Sequence, residues 1–136
     1  MYELTFFSND DLTKLETLST LNCLNLGIID TIILNAYEDT ILINLKRLNI
    51  FGGDITSLHG LKHCFNLKNL ILSNTNVTCL KSLAFCTKLK ELNIGYNTFD
   101  LSPLKTLTSL QTIYCYPDRN LYDCLIFQTY LYKMNI

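Results

Sequence analysis

Hydrophobic residues in this chain alternate between two rhythms. In LKRLNIFGGDITSLHGLKHCFN, from Leu45, a leucine is followed by apolar residues three and five places on; Ile55, Leu58, Leu61 and Cys64 then recur at every third place. The order returns in LKNLILSNTNVTCLKSLAFCTK, from Leu67, and in LKELNIGYNTFDLSPLKTLTS, from Leu89. Alternation predicts a short strand with one face turned inward. Spacing of three predicts a 3₁₀-like or extended arm whose apolar side returns to the same interior.

The rhythm extends in both directions. A longer unit starts at Leu21 and a short one at Met1, while after Leu110 only the opening strand, with Ile113 and Cys115, persists. Units therefore begin near residues 1, 21, 45, 67, 89 and 110, within a single domain spanning 1–136. One such unit cannot bury its apolar face alone. Stacked units bury one another and pair their strands, which predicts a parallel sheet on the concave side of a curved solenoid. The tail 119–136 carries apolar residues at spacings of three and four, with Asp118 or Asn120 as a candidate N-cap, and predicts a helical cap over the last interior face. At the other end the first unit begins at Met1, so the strand Tyr2 to Phe7 is expected to be an edge that frays or pairs, for instance with a second copy of the chain.

In these units the chain resembles the leucine-rich repeat family, and specifically its 22-residue class of internalin-like and phosphatase-regulator-like proteins. The opening L-x-x-L-x-(L/I), the period near 22 and the line NTFDLSPLKTLTSLQTI carry the resemblance, which covers about Met1 to Asp118. It implies an α/β solenoid with a concave parallel sheet, 3₁₀ or extended convex arms and a capped carboxy end. It also implies protein binding without catalysis, because members of the family bind many unrelated partners. Asn97 and Asn9 hold the place of the family's turn-bracing Asn, but Gly53 and Thr75 stand there in the middle repeats. Looser turns are expected near Phe51 to Asp54.

Composition narrows the partners less than the repeat does. The chain has 136 residues, a mean hydropathy of +0.20 and a net charge of −1, so bulk charge supplies no attraction to nucleic acid or an anionic membrane. No secretory leader or spanning segment is evident, which sets the expectation of a soluble cytoplasmic protein. The six cysteines include no CxxC pair and are expected to act as small buried hydrophobes.

With the first, fourth and sixth places of each unit turned inward, the remaining places of the strand face the concave side. Lys46, Lys68 and Lys90 form a column at the second place, thickened by Arg47. Phe51, Ile71, Tyr96, Tyr114 and Tyr116 supply large apolar or aromatic groups. Aromatics and Arg dominate binding energy in protein interfaces, whereas Lys at an exposed strand position is also an ordinary solubilising choice. The predicted partner is therefore another protein, held by these rings and steered by the lysines. Self-association through the first strand and, less favoured, RNA binding by rings and cations are the alternatives. Catalysis finds little support: His59 and His63 fall on the convex arm and could share a face with Cys64 and Cys86, but a metal site there needs four well-aimed ligands and solvated histidines beside core cysteines are expected; Asp10 and Asp11 suit a turn, and no cofactor motif is present.

Overall fold

The structure, a computed structural model, describes residues 3–6, 23–27, 42–52, 54–95 and 100–115. Six short strands, β1 (Glu3–Phe6), β2 (Cys23–Gly27), β3 (Arg47–Phe51), β4 (Asn69–Ser73), β5 (Glu91–Gly95) and β6 (Thr112–Cys115), form one sheet in chain order. Every neighbouring pair is parallel. All strand beginnings thus lie along one edge of the sheet. The predicted cap at 119–136 falls outside the described residues, as does Gly53 in the turn expected to be loose.

Between strands the every-third residues perform two tasks at once. They fill the interior: Leu58, Leu61 and Cys64 are buried, as are Leu80, Leu83 and Cys86 in the next repeat and Leu104 and Leu107 in the one after. They also carry the hydrogen bonds of the arm. The N–H groups of Leu61, Cys64 and Leu67 donate to the carbonyls of Leu58, Leu61 and Cys64 at 2.9, 3.0 and 3.1 Å. The next two repeats reproduce the chain of bonds through Leu83, Cys86 and Leu89 and through Leu104, Leu107 and Leu110. A spacing of three suits both tasks because a 3₁₀ turn closes in three residues. Accordingly 3₁₀ turns occur at Leu42–Asn44, His59–Leu61, Lys81–Phe85 and Ser102–Thr106.

The interior is one ladder running from Leu24 to Ile113. Cys64 and Cys86 occupy rungs that Leu107 fills in a later repeat, as small apolar fillers, whereas Cys79, expected to be buried with them, is exposed. Burial pushes the Cys86 thiol up to about 12, and the Cys64 thiol higher still, because neighbouring Cys86 adds to the desolvation.

Chain reversal after the strands uses left-handed backbone. Gly52 and Asn74 hold the same place in consecutive repeats, with φ of 70° and 54°, a region open to glycine and tolerated by Asn. In β5 the left-handed residue is Gly95, with φ 57°, one place earlier, where the pairing with β6 also shifts. The unit from Leu89 is correspondingly one residue shorter than its predecessors. Thr75, at the bracing place usually held by Asn, is buried, and its Oγ1 has no hydrogen-bond partner.

Candidate functional site: the concave sheet

Alternation along the strands brings two rows of side chains onto the concave face. Arg47, Asn69, Glu91 and Thr112 are in register across β3 to β6; two residues on, Asn49, Ile71, Asn93 and Tyr114 form the second row, which continues to Asn25 in β2. Side chains directly opposite one another lie about 5 Å apart, so each row is a ladder of contacts. Asn49 Nδ2 donates to Asn25 Oδ1 at 2.6 Å, and Asn69 Nδ2 donates to Glu91 Oε2 at 2.6 Å. Asn93 Oδ1 accepts the N–H of Gly95 at 3.0 Å and supports the early turn.

The rows enclose a depression of about 270 Å3 lined by Arg47, Asn49, Asn69, Ile71, Glu91, Asn93 and Tyr114. Ile71 provides an apolar patch between polar neighbours, Tyr114 is 49% exposed, and Arg47 is exposed. Asn49 Oδ1 is buried beside them without a donor, because the next residue in its row is Ile71. Chemically the site is amphipathic. It offers a ring, a branched aliphatic group, a guanidinium fork and a polar rim, and no nucleophile paired with a base.

The structure therefore unites Arg47, Ile71 and Tyr114 from the sequence expectation. It places Lys46, Lys68 and Lys90 elsewhere. These lysines sit immediately before their strands, exposed and outside the lining of the depression. Their backbone is structural: the carbonyl of Lys46 accepts the N–H groups of Lys68 and Asn69 at 2.8 and 3.1 Å, and Lys68 and Lys90 repeat the pattern one and two strands on. Phe51, 46% exposed, ends β3 away from the depression. Tyr96 and Tyr116 lie outside the described residues. Asn49, Asn69, Glu91 and Asn93, at strand places that the sequence pattern already turns to the concave face, join the site, and their hydrogen bonds are visible only in the structure.

The histidines have other surroundings. Lys62 Nζ lies 3.4 Å from His59 Nε2, and the His63 ring lies against Phe65 with centroids 6.0 Å apart. Among the described residues no group of three or more His, Cys, Asp or Glu is placed to hold a metal ion.

A parallel sheet of consecutive strands, joined from β2 to β6 through 3₁₀ turns over a common apolar ladder, defines the leucine-rich repeat solenoid. Solved structures agree with that fold. The chain is similar to an internalin C2 from Listeria monocytogenes, at 25% identity and a TM-score of 0.63 over 75% of this chain and 45% of that one. It is similar as well to an internalin (inlF) from the same organism, at 21% identity and a TM-score of 0.62 over 86% of this chain and 42% of that one. The chain thus spans less than half the length of either structure. No protein-family model and no curated protein matches it.

Proposed function

We propose that the concave sheet is a non-catalytic recognition surface for another protein, centred on the depression between Arg47 and Tyr114. The observation that carries this reading is the half-exposed Tyr114 ring sharing one depression with Ile71 and the Arg47 guanidinium. Rings and Arg are the residue types that concentrate binding energy, and a recess with an apolar patch lets a partner side chain be desolvated on entry. Lys46, Lys68 and Lys90, at the adjoining edge, raise the positive potential along the approach and favour an acidic partner surface. Phe51, Tyr96 and Tyr116 extend the ring-bearing face in this proposal.

Affinity capture with the native chain and with a Tyr114→Ala, Ile71→Asp double variant tests it. A protein retained by the native chain should be lost from the variant, and the same difference should appear with the purified partner. Equal binding by a folded variant would place the interface elsewhere.

A further inference from the structure

The edge along which all strands begin carries its own chemistry. The described 3₁₀ turns lie shortly before the strands that follow them, and three large apolar side chains there face solvent: Ile43 within the turn Leu42–Asn44, Phe85 at the end of the turn Lys81–Phe85, and Phe65 four residues after the turn His59–Leu61. Ile43 is 38% exposed, Phe65 is 45% and Phe85 is 55%. Stacking does not demand them. The residues equivalent to Ile43 and Phe65 in the next two repeats are Thr87 and Thr108, and those equivalent to Phe85 in the flanking repeats are His63 and Thr106. A polar residue therefore satisfies the fold at every one of these places, and the apolar groups need a separate account.

Lysines follow them in the chain, Lys46 three residues after Ile43, Lys68 three after Phe65 and Lys90 five after Phe85. Lys46, Lys68 and Lys90 occupy the same edge one strand apart, exposed, with no carboxylate partner among the described residues. Lys88 reaches back across one repeat to donate from Nζ to Asn66 Oδ1 at 2.8 Å, and Asn66 Nδ2 in turn donates to the Ile43 carbonyl at 3.2 Å. That chain of bonds ties successive returns into one continuous surface.

The net charge of −1 conceals this concentration. Residues 42–115 hold eight Lys and Arg against three Asp and Glu, whereas residues 1–41 hold one against seven. Two of the three acids of the basic stretch lie off the edge: Asp54 follows β3 and Asp100 precedes the turn Ser102–Thr106. The third, Glu91, opens β5 beside Lys90 with its carboxylate turned to Asn69.

We infer that this edge seats on an anionic membrane surface, with Phe65, Phe85 and Ile43 entering the interfacial layer and the four lysines meeting lipid headgroups. Composition favours lipid over a protein partner. Protein interfaces are enriched in Arg and Tyr and depleted in Lys, whereas Phe together with Lys is the combination that anionic bilayers recruit. Lys is suited to the task because its long stem lies along apolar surface while the ammonium stays among headgroups. No helix among the described residues is long and apolar enough to cross a membrane, so the association is peripheral.

Co-sedimentation of the whole chain with vesicles tests the inference, using phosphatidylcholine alone and phosphatidylcholine with about one lipid in three replaced by phosphatidylserine. Binding is expected only to the anionic vesicles and should fall steeply as salt rises above about 0.1 M. The Lys68→Glu, Lys90→Glu pair should lower partitioning at least about tenfold, since each lysine near the surface counts severalfold. Phe65→Thr with Phe85→Thr should also weaken it, and these substitutions borrow residues that neighbouring repeats already use, so the fold is kept. Tyr114→Ala should change nothing, which separates this surface from the concave one. Equal binding to both vesicle types, or no effect of the paired Phe variant, overturns the inference. So does retention on a polyglutamate peptide or single-stranded oligonucleotide that equals retention on anionic vesicles and is indifferent to the Phe substitutions.

Discussion

Replacing Ile71 with Asn separates what holds the concave face together from what it presents. Asn25, Asn49 and Asn93 share a row with Ile71. Asn49 donates to Asn25, but its own Oδ1 faces a residue that cannot donate, and that buried oxygen has no partner. Leaving a buried acceptor unpaired costs about 1–3 kcal/mol. An Asn at position 71, in register with Asn49, brings an amide N–H to it. Against that gain stands the loss of a largely buried branched side chain, about 1–2 kcal/mol, and the lower strand preference of Asn, up to about 1 kcal/mol. The two sides nearly cancel, so Ile71→Asn should lie within about 1 kcal/mol of the native chain.

Ile71→Ala makes the comparison decisive. It loses about 1–2 kcal/mol of burial and leaves the Asn49 oxygen orphaned. The polar variant should therefore be the more stable of the two by about 1 kcal/mol or more. Urea denaturation, read as a shift in midpoint at constant m, measures the difference. The advantage should vanish when both substitutions are repeated in an Asn49→Ala background, because the cycle isolates the new pair. Equal or lower stability of Ile71→Asn, or an advantage that survives Asn49→Ala, refutes the hydrogen-bond account. Partner binding should fall in Ile71→Asn even with stability kept, since the apolar patch of the depression is gone.

Three further outcomes follow from particular contacts. Thr75→Val removes a buried hydroxyl that has no partner and should raise the unfolding free energy by about 1 kcal/mol, whereas a loss in urea denaturation would show the hydroxyl bonded to solvent. Alkylation of the native chain, mapped by mass spectrometry, should modify exposed Cys79 and spare Cys64 and Cys86 until denaturant is added, because burial holds both thiols protonated. Asp100 is held below the usual Asp range by the Ser102 N–H, which Oδ1 accepts at 2.9 Å, and by the Ser102 hydroxyl, which Oδ2 accepts at 2.7 Å. A lowered folded value contributes stability above the unfolded value and loses it as pH falls through the folded one, so Asp100→Ala should differ from the native chain at pH 7 and converge with it as pH falls below the usual Asp range.

The interior was legible from the sequence because stacking imposes the same apolar residues at the same places in every unit. Leu45, Leu67 and Leu89 each open a strand, and the every-third residues after them reach the same ladder. The outward strand places, among them Asn49, Asn69, Glu91 and Asn93, were legible in the same way, whereas the hydrogen bonds between their side chains were not. Asn25 meets Asn49 across 24 residues, while Asn69 meets Glu91 across 22. The two extra residues of the second unit are absorbed between strands, and periodicity alone does not say where. Strand limits misled in another respect. Inward first places suggested that the second place, Lys46, Lys68 and Lys90, belongs to the concave face, yet the sheet begins one residue later, at Arg47, Asn69 and Glu91. A shift of one residue moves the lysines from the rim of the depression to the edge where the strands begin.

That shift also changes what an exposed ring means in a repeat protein. In an isolated domain a solitary surface Phe needs no explanation. A solenoid supplies an internal control, because each place is occupied several times in nearly the same surroundings. Where Ile43 and Phe65 stand, Thr87 and Thr108 show that the fold is content with a small polar residue; where Phe85 stands, so does Thr106. Leu61, Leu83 and Leu104 show the opposite, an apolar residue at every repeat of a buried place. Variation between equivalent places therefore separates residues that stacking requires from residues that it merely permits. By that criterion Tyr114, whose row mates are Asn93, Ile71 and Asn49, falls on the permitted side together with Phe65 and Phe85. The stacking free energy gives no reason for any of these large groups to face water, which is why both proposed surfaces are built on them.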